Sequence, residues 1–228
     1  MGIETAKQGN GETGKEKGGI LLVLSAPTGG GKTTIAHALV AGDPSLRFSV
    51  SHTTRKPRPG EREGVDYHFT TEDEFERMAI VGEFLEWARV HDHLYGTHRQ
   101  EMKAARAACQ DLVLDIDVQG GLQIKKSEPS AVLVFILPPS LGDLLDRLGN
   151  RVEEPGFDVA RRLRTALGEL EMATSYDYNL LNEDVDTAVK QVRCILESTR
   201  LRPAEMGGRV ALLRRQIAAY LRSQDVHR

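Results

Sequence analysis

Ser25-Ala26-Pro27-Thr28-Gly29-Gly30-Gly31-Lys32-Thr33-Thr34 is the stretch from which the fold is read. Residues 20–24 before it are apolar and read as a strand buried on both faces. Residues 33–40 after it read as a helix. Strand, glycine-rich turn and helix match the phosphate-loop pattern G-x-x-x-x-G-K-[ST], except that Ala26 stands at the first glycine. Glycines let backbone N–H groups turn toward phosphate oxygens, and the helix N-terminus adds positive partial charge. Ala26, Pro27, Thr28, Gly29, Gly30 and Gly31 then form a cradle for a nucleoside triphosphate. Lys32 reaches its β- and γ-phosphates, and Thr33 ligates Mg²⁺. A small residue at position 26 still permits the turn. The loop by itself does not say which reaction is catalysed.

Outward from the loop, residues 112–116 and 131–137 read as further buried strands, with helices over 99–109, 119–126, 161–173 and 184–201. Ser140 caps a helix that runs to about 148, and Thr71 opens one over 72–81. Strands are also expected over 46–52, 84–90 and 178–181. Apolar strands alternating with helices predict a parallel α/β sheet, whose ligands bind beyond the carboxyl ends of the strands. Asp115 and Asp117 end one such strand. One or both pair with Lys32, an arginine or waters on Mg²⁺, or else they cap the next helix; Asp117 is the favoured functional acid.

The chain has 228 residues, 40% hydrophobic and 28% charged, with a formal net charge of −3. That balance suits one core with small mobile lobes and argues against a general nucleic-acid binder. Residues 1–19 have little to bury and read as a disordered tail. The two cysteines, Cys109 and Cys194, lie far apart, and no apolar run reaches the ~20 residues of a membrane span. A cytoplasmic protein with no membrane partner is expected. Near the C-terminus, Val210, Leu213, Ile217 and Leu221 recur at helical spacing among arginines, so residues 203–228 are expected to be an amphipathic helix and tail. It docks on the core, joins subunits into a homo-oligomer or touches a polyanion, in that order of preference. His91, His93 and His98 have no spacing that enforces a metal site.

The second substrate is read from residues 51–61, Ser-His-Thr-Thr-Arg-Lys-Pro-Arg-Pro-Gly-Glu. Arg55 and Arg58 are presented in a loop stiffened by Pro57 and Pro59. Two guanidinium forks suit a phosphate group, to which Tyr67 and Tyr95 add hydroxyls. This segment resembles the GMP-binding signature of guanylate kinases. So do Phe84-Leu85-Glu86-Trp87-Ala88, Tyr95-Gly96-Thr97, Leu114-Asp115-Ile116-Asp117, Val118-Gln119-Gly120 and Leu137-Pro138-Pro139-Ser140. The resemblance runs from about 20 to about 202, and the family also carries Ala in the phosphate loop.

The resemblance implies a P-loop NTPase-type parallel sheet flanked by helices, with a core over 20–50 and 98–202. A small GMP-binding lobe spans about 51–97 and a helical lid about 150–172. It implies transfer of the γ-phosphate of ATP to GMP with Mg²⁺, held by Thr33 and by Asp117 through water. Ser51, Glu86 and Thr97 meet guanine, and Arg55, Arg58, Tyr67 and Tyr95 hold the GMP phosphate, with Asp115 and Asp117 at the same site. Lys32, Arg55, Asp117 and the lid arginines Arg151 and Arg162 serve the transfer, and Asn182 approaches the adenine. The chemistry agrees: guanine offers N1–H and N2–H side by side to the two oxygens of Glu86, while the Ser51 and Thr97 hydroxyls donate to O6. The lid departs from the family's Gly-Arg-Gly turn, with Val152 in place of a glycine and Pro155 nearby. Three rival readings are a non-catalytic binding module, a sugar-phosphate kinase and a nucleic-acid-binding NTPase. The intact loop and the 51–58 signature with Glu86 disfavour all three.

Overall fold

A computed structural model describes residues 19–90, 92–149 and 158–225. Residues 19–200 fall in one compact unit and residues 201–225 in another. The first unit is organised by β1 (Leu21–Ser25), whose five residues are all buried. Successive side chains of a strand point to opposite faces. Leu22 and Leu24 accordingly pack with Ile35, Ala36 and Leu39 of α1 (Lys32–Ala41) and with Val189, Val192 and Leu196 of α7 (Val185–Arg200). Leu21 and Val23 pack on the other face, with Ile124 of α4 (Val118–Ser127) and Ala105 of α3 (Arg99–Ala107). Leu22 and Leu24 are fully buried, and each contributes about 1.5–3 kcal/mol by leaving water. A continuous apolar run is what a strand covered on both faces requires.

β1 is central in a five-stranded sheet with order β2-β7-β1-β8-β9, in which every pairing is parallel. The other strands are β2 (Leu46–Phe48), β7 (Asp111–Asp115), β8 (Val132–Leu137) and β9 (Tyr178–Leu181). Leu24 aligns with Asp115. The loops after β1, β7 and β9 therefore gather at one edge. α5 (Leu141–Gly149) and α6 (Val159–Glu171) follow β8. Ser140 Oγ accepts from the Asp143 amide at 3.1 Å, at the start of α5, and Asp158 caps α6.

A second, four-stranded sheet has order β4-β3-β6-β5. It comprises β3 (His52–Thr53), β4 (His68–Phe69), β5 (Phe84–Val90) and β6 (His93–His98). Phe75 and Met78 of α2 (Glu72–Ile80) pack on Phe84 and Leu94 as its own small core. Thr71 caps α2 through the Glu74 amide. The expectation of one strand over 46–52 is corrected here, because the pairing partner changes at Ser49–Ser51. The Ser49 amide still bonds Val113 of β7, whereas the Ser51 carbonyl accepts from His68. β2 thus belongs to the parallel sheet and β3 to the small one, and this segment is the outgoing connection between them. β4 and β6 were not anticipated. β4 has only two residues, and β6 carries a glycine and two histidines in place of an apolar alternation.

α8 (Pro203–Asp225) is a 23-residue helix. Among the described residues, no helix is long and apolar enough to cross a membrane. Cys109 and Cys194 are free and exposed.

Candidate active site

Backbone conformation explains the composition of the phosphate loop. Gly29 and Gly31 have φ of 87° and 90°, the left-handed region where a side chain is strained. Ala26 needs no such freedom: among the described residues, Cys109 is the only non-glycine at positive φ. Alanine at the first motif position is therefore compatible with the turn. The loop is braced from outside. Asn182 Nδ2 donates to the Gly30 carbonyl at 2.9 Å, and Arg147 reaches the same carbonyl at 3.2 Å and the Asn182 carbonyl at 3.0 Å.

Lys32 and Thr33 open α1 and both turn to Asp115. Lys32 Nζ lies 2.6 Å from Asp115 Oδ1, and Thr33 Oγ1 donates to Oδ2 at 2.5 Å. Burial pushes the Lys32 ammonium down, but the neighbouring Asp115 charge and hydrogen bond outweigh it and hold it above its ordinary value. Asp117 faces another partner. Its Oδ1 accepts from the Gly120 amide at 2.9 Å and caps α4. Burial raises its carboxyl, against the pull of that amide and of Lys32. The two acids thus divide, with Asp115 paired to the loop and Asp117 to the next helix.

The acceptor side is built from side chains on the small sheet. Glu86 on β5 sits opposite Thr97 on β6. A register shift between Phe84 and Glu86 leaves Phe84, Leu85 and Glu86 all buried, breaking the alternation of a regular strand. Glu86 is 4% exposed, Thr97 is fully buried and Ser51 is 8% exposed. Thr97 Oγ1 donates to Glu86 Oε1 at 2.6 Å. In this structure its single hydroxyl proton is engaged on the carboxylate. Burial raises the Glu86 carboxyl to about 7, against the lowering effect of Thr97.

Arg55 is held by Glu61 through two hydrogen bonds, of 2.8 and 3.0 Å, and by the Lys56 carbonyl at 2.8 Å. Its guanidinium lies 5.3 Å from the centre of the Tyr67 ring. Burial lowers and Glu61 raises the Arg55 pKa, with Glu61 prevailing. The Tyr67 and Tyr95 rings meet edge to face at 6.0 Å.

A cavity of about 1650 Å³ joins both halves. Its lining includes residues 26–33, Ser51, Arg55, Arg58, Tyr67, Glu86, Tyr95, Asp115, Asp117, Arg162 and Asn182. Thr97 lies behind Glu86 rather than on the cavity wall. Arg151, Val152 and Pro155 lie outside the described residues. Sequence reading assigned no role to Glu61, Arg147, Arg161 or Glu169, which also line the cavity. Glu169 Oε2 accepts from the Thr28 amide at 3.3 Å, and burial raises its carboxyl to about 7. Arg161 lies 3.8 Å from Asp92. Of these four, only Glu61 had a local signal, its place at the end of the 51–61 segment; the others are single charges on helices.

The family model for guanylate kinase matches residues 19–199. The guanylate kinase of Gluconobacter oxydans is 48% identical over 184 residues, covering 80% of this chain and 88% of the relative. That of Bradyrhizobium diazoefficiens is 44% identical over 207 residues, covering 90% and 94%. The crystal structure of guanylate kinase from Anaplasma phagocytophilum superposes with a TM-score of 0.69 at 31% identity, covering 82% of this chain and 88% of that one. With a phosphate loop and a buried carboxylate lining one cavity, and with the family model matching residues 19–199, the chain belongs to the guanylate kinase family.

Proposed function

We propose that the protein transfers the γ-phosphoryl group of ATP to GMP, yielding ADP and GDP. The observation that carries this reading is the pairing of a phosphate loop with a buried two-oxygen acceptor, Glu86, in one cavity. Guanine presents adjacent N1–H and N2–H donors to such a carboxylate. Adenine presents an acceptor at N1 and would leave Glu86 unpaired, a mismatch that such sites reject by about 10⁴-fold.

In the proposed mechanism the loop amides and Lys32 hold the β- and γ-phosphates of ATP. Arg55 and Arg58, with the Tyr67 and Tyr95 hydroxyls, hold the GMP phosphate. A GMP phosphate oxygen forms a bond to the γ-phosphorus as the bond to the β,γ-bridging oxygen breaks, and ADP leaves. Little covalent help is needed, because alignment and positive charge carry the step. Arg162 on α6 lines the cavity and supplies charge to the moving phosphoryl group, and Arg151 is assigned the same role from the sequence. Asn182, which braces the loop, is assigned to the adenine side. Thr33 and Asp115 form a hard oxygen donor pair beside the loop that fits Mg²⁺, directly or through water, with Asp117 further along the same edge. When bound, that ion neutralises charge on the β- and γ-phosphates.

Cytoplasmic placement fits the free, exposed cysteines. Pairing of α8 with a second copy fits its helically spaced apolar residues. Nucleic acid is not a substrate in this reading.

The test is coupled ADP release with GMP, AMP, CMP and UMP as acceptors. Strong turnover is expected with GMP alone. Equal rates with AMP, or ATP consumption independent of acceptor, would defeat it.

A further inference from the structure

α4 contains two adjacent glycines, Gly120 and Gly121, in its first turns. Glycine inside a helix ordinarily weakens it relative to alanine, so each position needs a reason. Gly121 has one in packing: a Cβ there would lie 2.4 Å from the Tyr176 hydroxyl and 3.3 Å from Ser25 Oγ. Gly120 differs. A Cβ there would lie 2.5 Å from Glu86 Oε2, 3.1 Å from Glu86 Cδ and 3.0 Å from Asp117 Oδ1. Those three nearest atoms all belong to carboxyl groups at the site, and none belongs to the apolar core.

We propose that Gly120 determines acceptor specificity, because the side chain it lacks is the space in which the Glu86 carboxyl group stands. This rests on the reading of Glu86 as the group that accepts guanine N1–H and N2–H. Gly120 touches no substrate and is a positioning residue. With a methyl group at 120, Oε2 must retreat by about 0.9 Å, the difference between 2.5 Å and ordinary contact at 3.4 Å. The retreat is constrained because Oε1 is held by Thr97 and the side chain is buried. A shift of about 1 Å in a recognition group can cost about 100-fold in function. The helix itself gains from the substitution, which offsets much of the cost of displacing the carboxylate. The signature is therefore lost guanine recognition in a protein that still folds.

The experiment uses the full chain carrying Gly120→Ala, alongside Glu86→Gln, Glu86→Ala and the Gly120→Ala/Glu86→Ala double variant. Steady-state KM and kcat are measured for GMP and for IMP, which lacks the N2 amine. Binding of a fluorescent ATP analogue and thermal unfolding are measured in parallel. Gly120→Ala is expected to raise the GMP KM at least about tenfold and to narrow the GMP-over-IMP preference. Analogue binding should hold, and the variant should still unfold cooperatively, within a few degrees of the parent. In the Glu86→Ala background the glycine substitution should add far less, since only the 3.0 Å approach to Asp117 Oδ1 remains.

An unchanged GMP KM in folded Gly120→Ala overturns the proposal. So does an equal added cost in the Glu86→Ala background, which marks a purely structural effect. If Gly120→Ala alone fails to fold, the double variant should fold; its failure also overturns the proposal. The underlying reading is judged separately: if Glu86→Gln keeps the full GMP-over-IMP preference, Glu86 does not read guanine, whatever Gly120 does.

Discussion

The two halves of the cavity are built by opposite means for the ligands proposed to bind there. The donor half is made of backbone: left-handed glycines, a helix N-terminus, and one lysine paired with Asp115. The acceptor half, as proposed, is made of side chains contributed by β5, β6 and the loops around β3 and β4, and the group proposed to read guanine is a buried acid whose carboxyl burial raises. Backbone geometry is written in consecutive residues, so the loop half suits a phosphate tail without naming the reaction. Side-chain recognition needs residues distant in sequence to converge, and it carries the identity of the acceptor.

Substitutions that act on one half and spare the other would sharpen this contrast. The largest effect is expected for Lys32→Ala. Loss of the cation at the γ-phosphate should lower kcat about 10³-fold, measured by coupled ADP release, while GMP binding by calorimetry is kept. A variant that keeps a normal rate would remove Lys32 from the donor half. Next is Glu86→Gln, in which one acceptor oxygen becomes a donor amide. The GMP KM should rise about 100-fold, with binding of the ATP analogue unmoved. Equal losses on both sides would mean the halves are not independent.

A smaller effect follows from pH. Burial pushes the Glu86 carboxyl up to about 7, and guanine as proposed to bind there requires its charged form. Binding of GMP therefore expels a proton below that pH. The GMP KM should climb about tenfold per unit as pH falls below 7, and level off above it. The phosphate of GMP titrates in a similar range, so the readout is the slope lost in Glu86→Gln. For folding the sign is the reverse. A carboxyl raised above its unfolded value favours the unliganded fold below about 4.5, and that contribution is lost as pH rises through 7. The smallest effect is expected from Thr71→Ala, which removes the cap of α2 and should cost about 1 kcal/mol of stability by urea titration, with kcat nearly unchanged.

Much of the fold was legible because its signals are local. The apolar run at 20–24, the caps Thr71 and Ser140, and the strands ending before Asp117 and Pro138 each read correctly within a residue or two. The errors lie where pairing, not propensity, decides. Nothing in residues 46–52 announces that Ser49–Ser51 changes partners between two sheets. β4 is too short, and β6 too polar, to stand out. Among site residues, Glu61 stood within a recognised segment, whereas Arg147 and Glu169 are ordinary helix charges until α5 and α6 carry them to the loop carbonyl of Gly30 and the amide of Thr28.

By itself, the sequence determined that a triphosphate loop follows a doubly buried strand and that paired arginines precede a Phe-Leu-Glu-Trp segment. Those are properties of neighbouring residues, set by backbone freedom and side-chain chemistry. Tertiary structure alone decided that Asp115 rather than Asp117 answers Lys32, that Thr97 spends its proton on Glu86, and that Gly120 leaves room for that carboxylate. Each depends on distances of about 2.5–3 Å between elements far apart in the chain. Such distances are settled by how the sheets and helices pack, which no local pattern records.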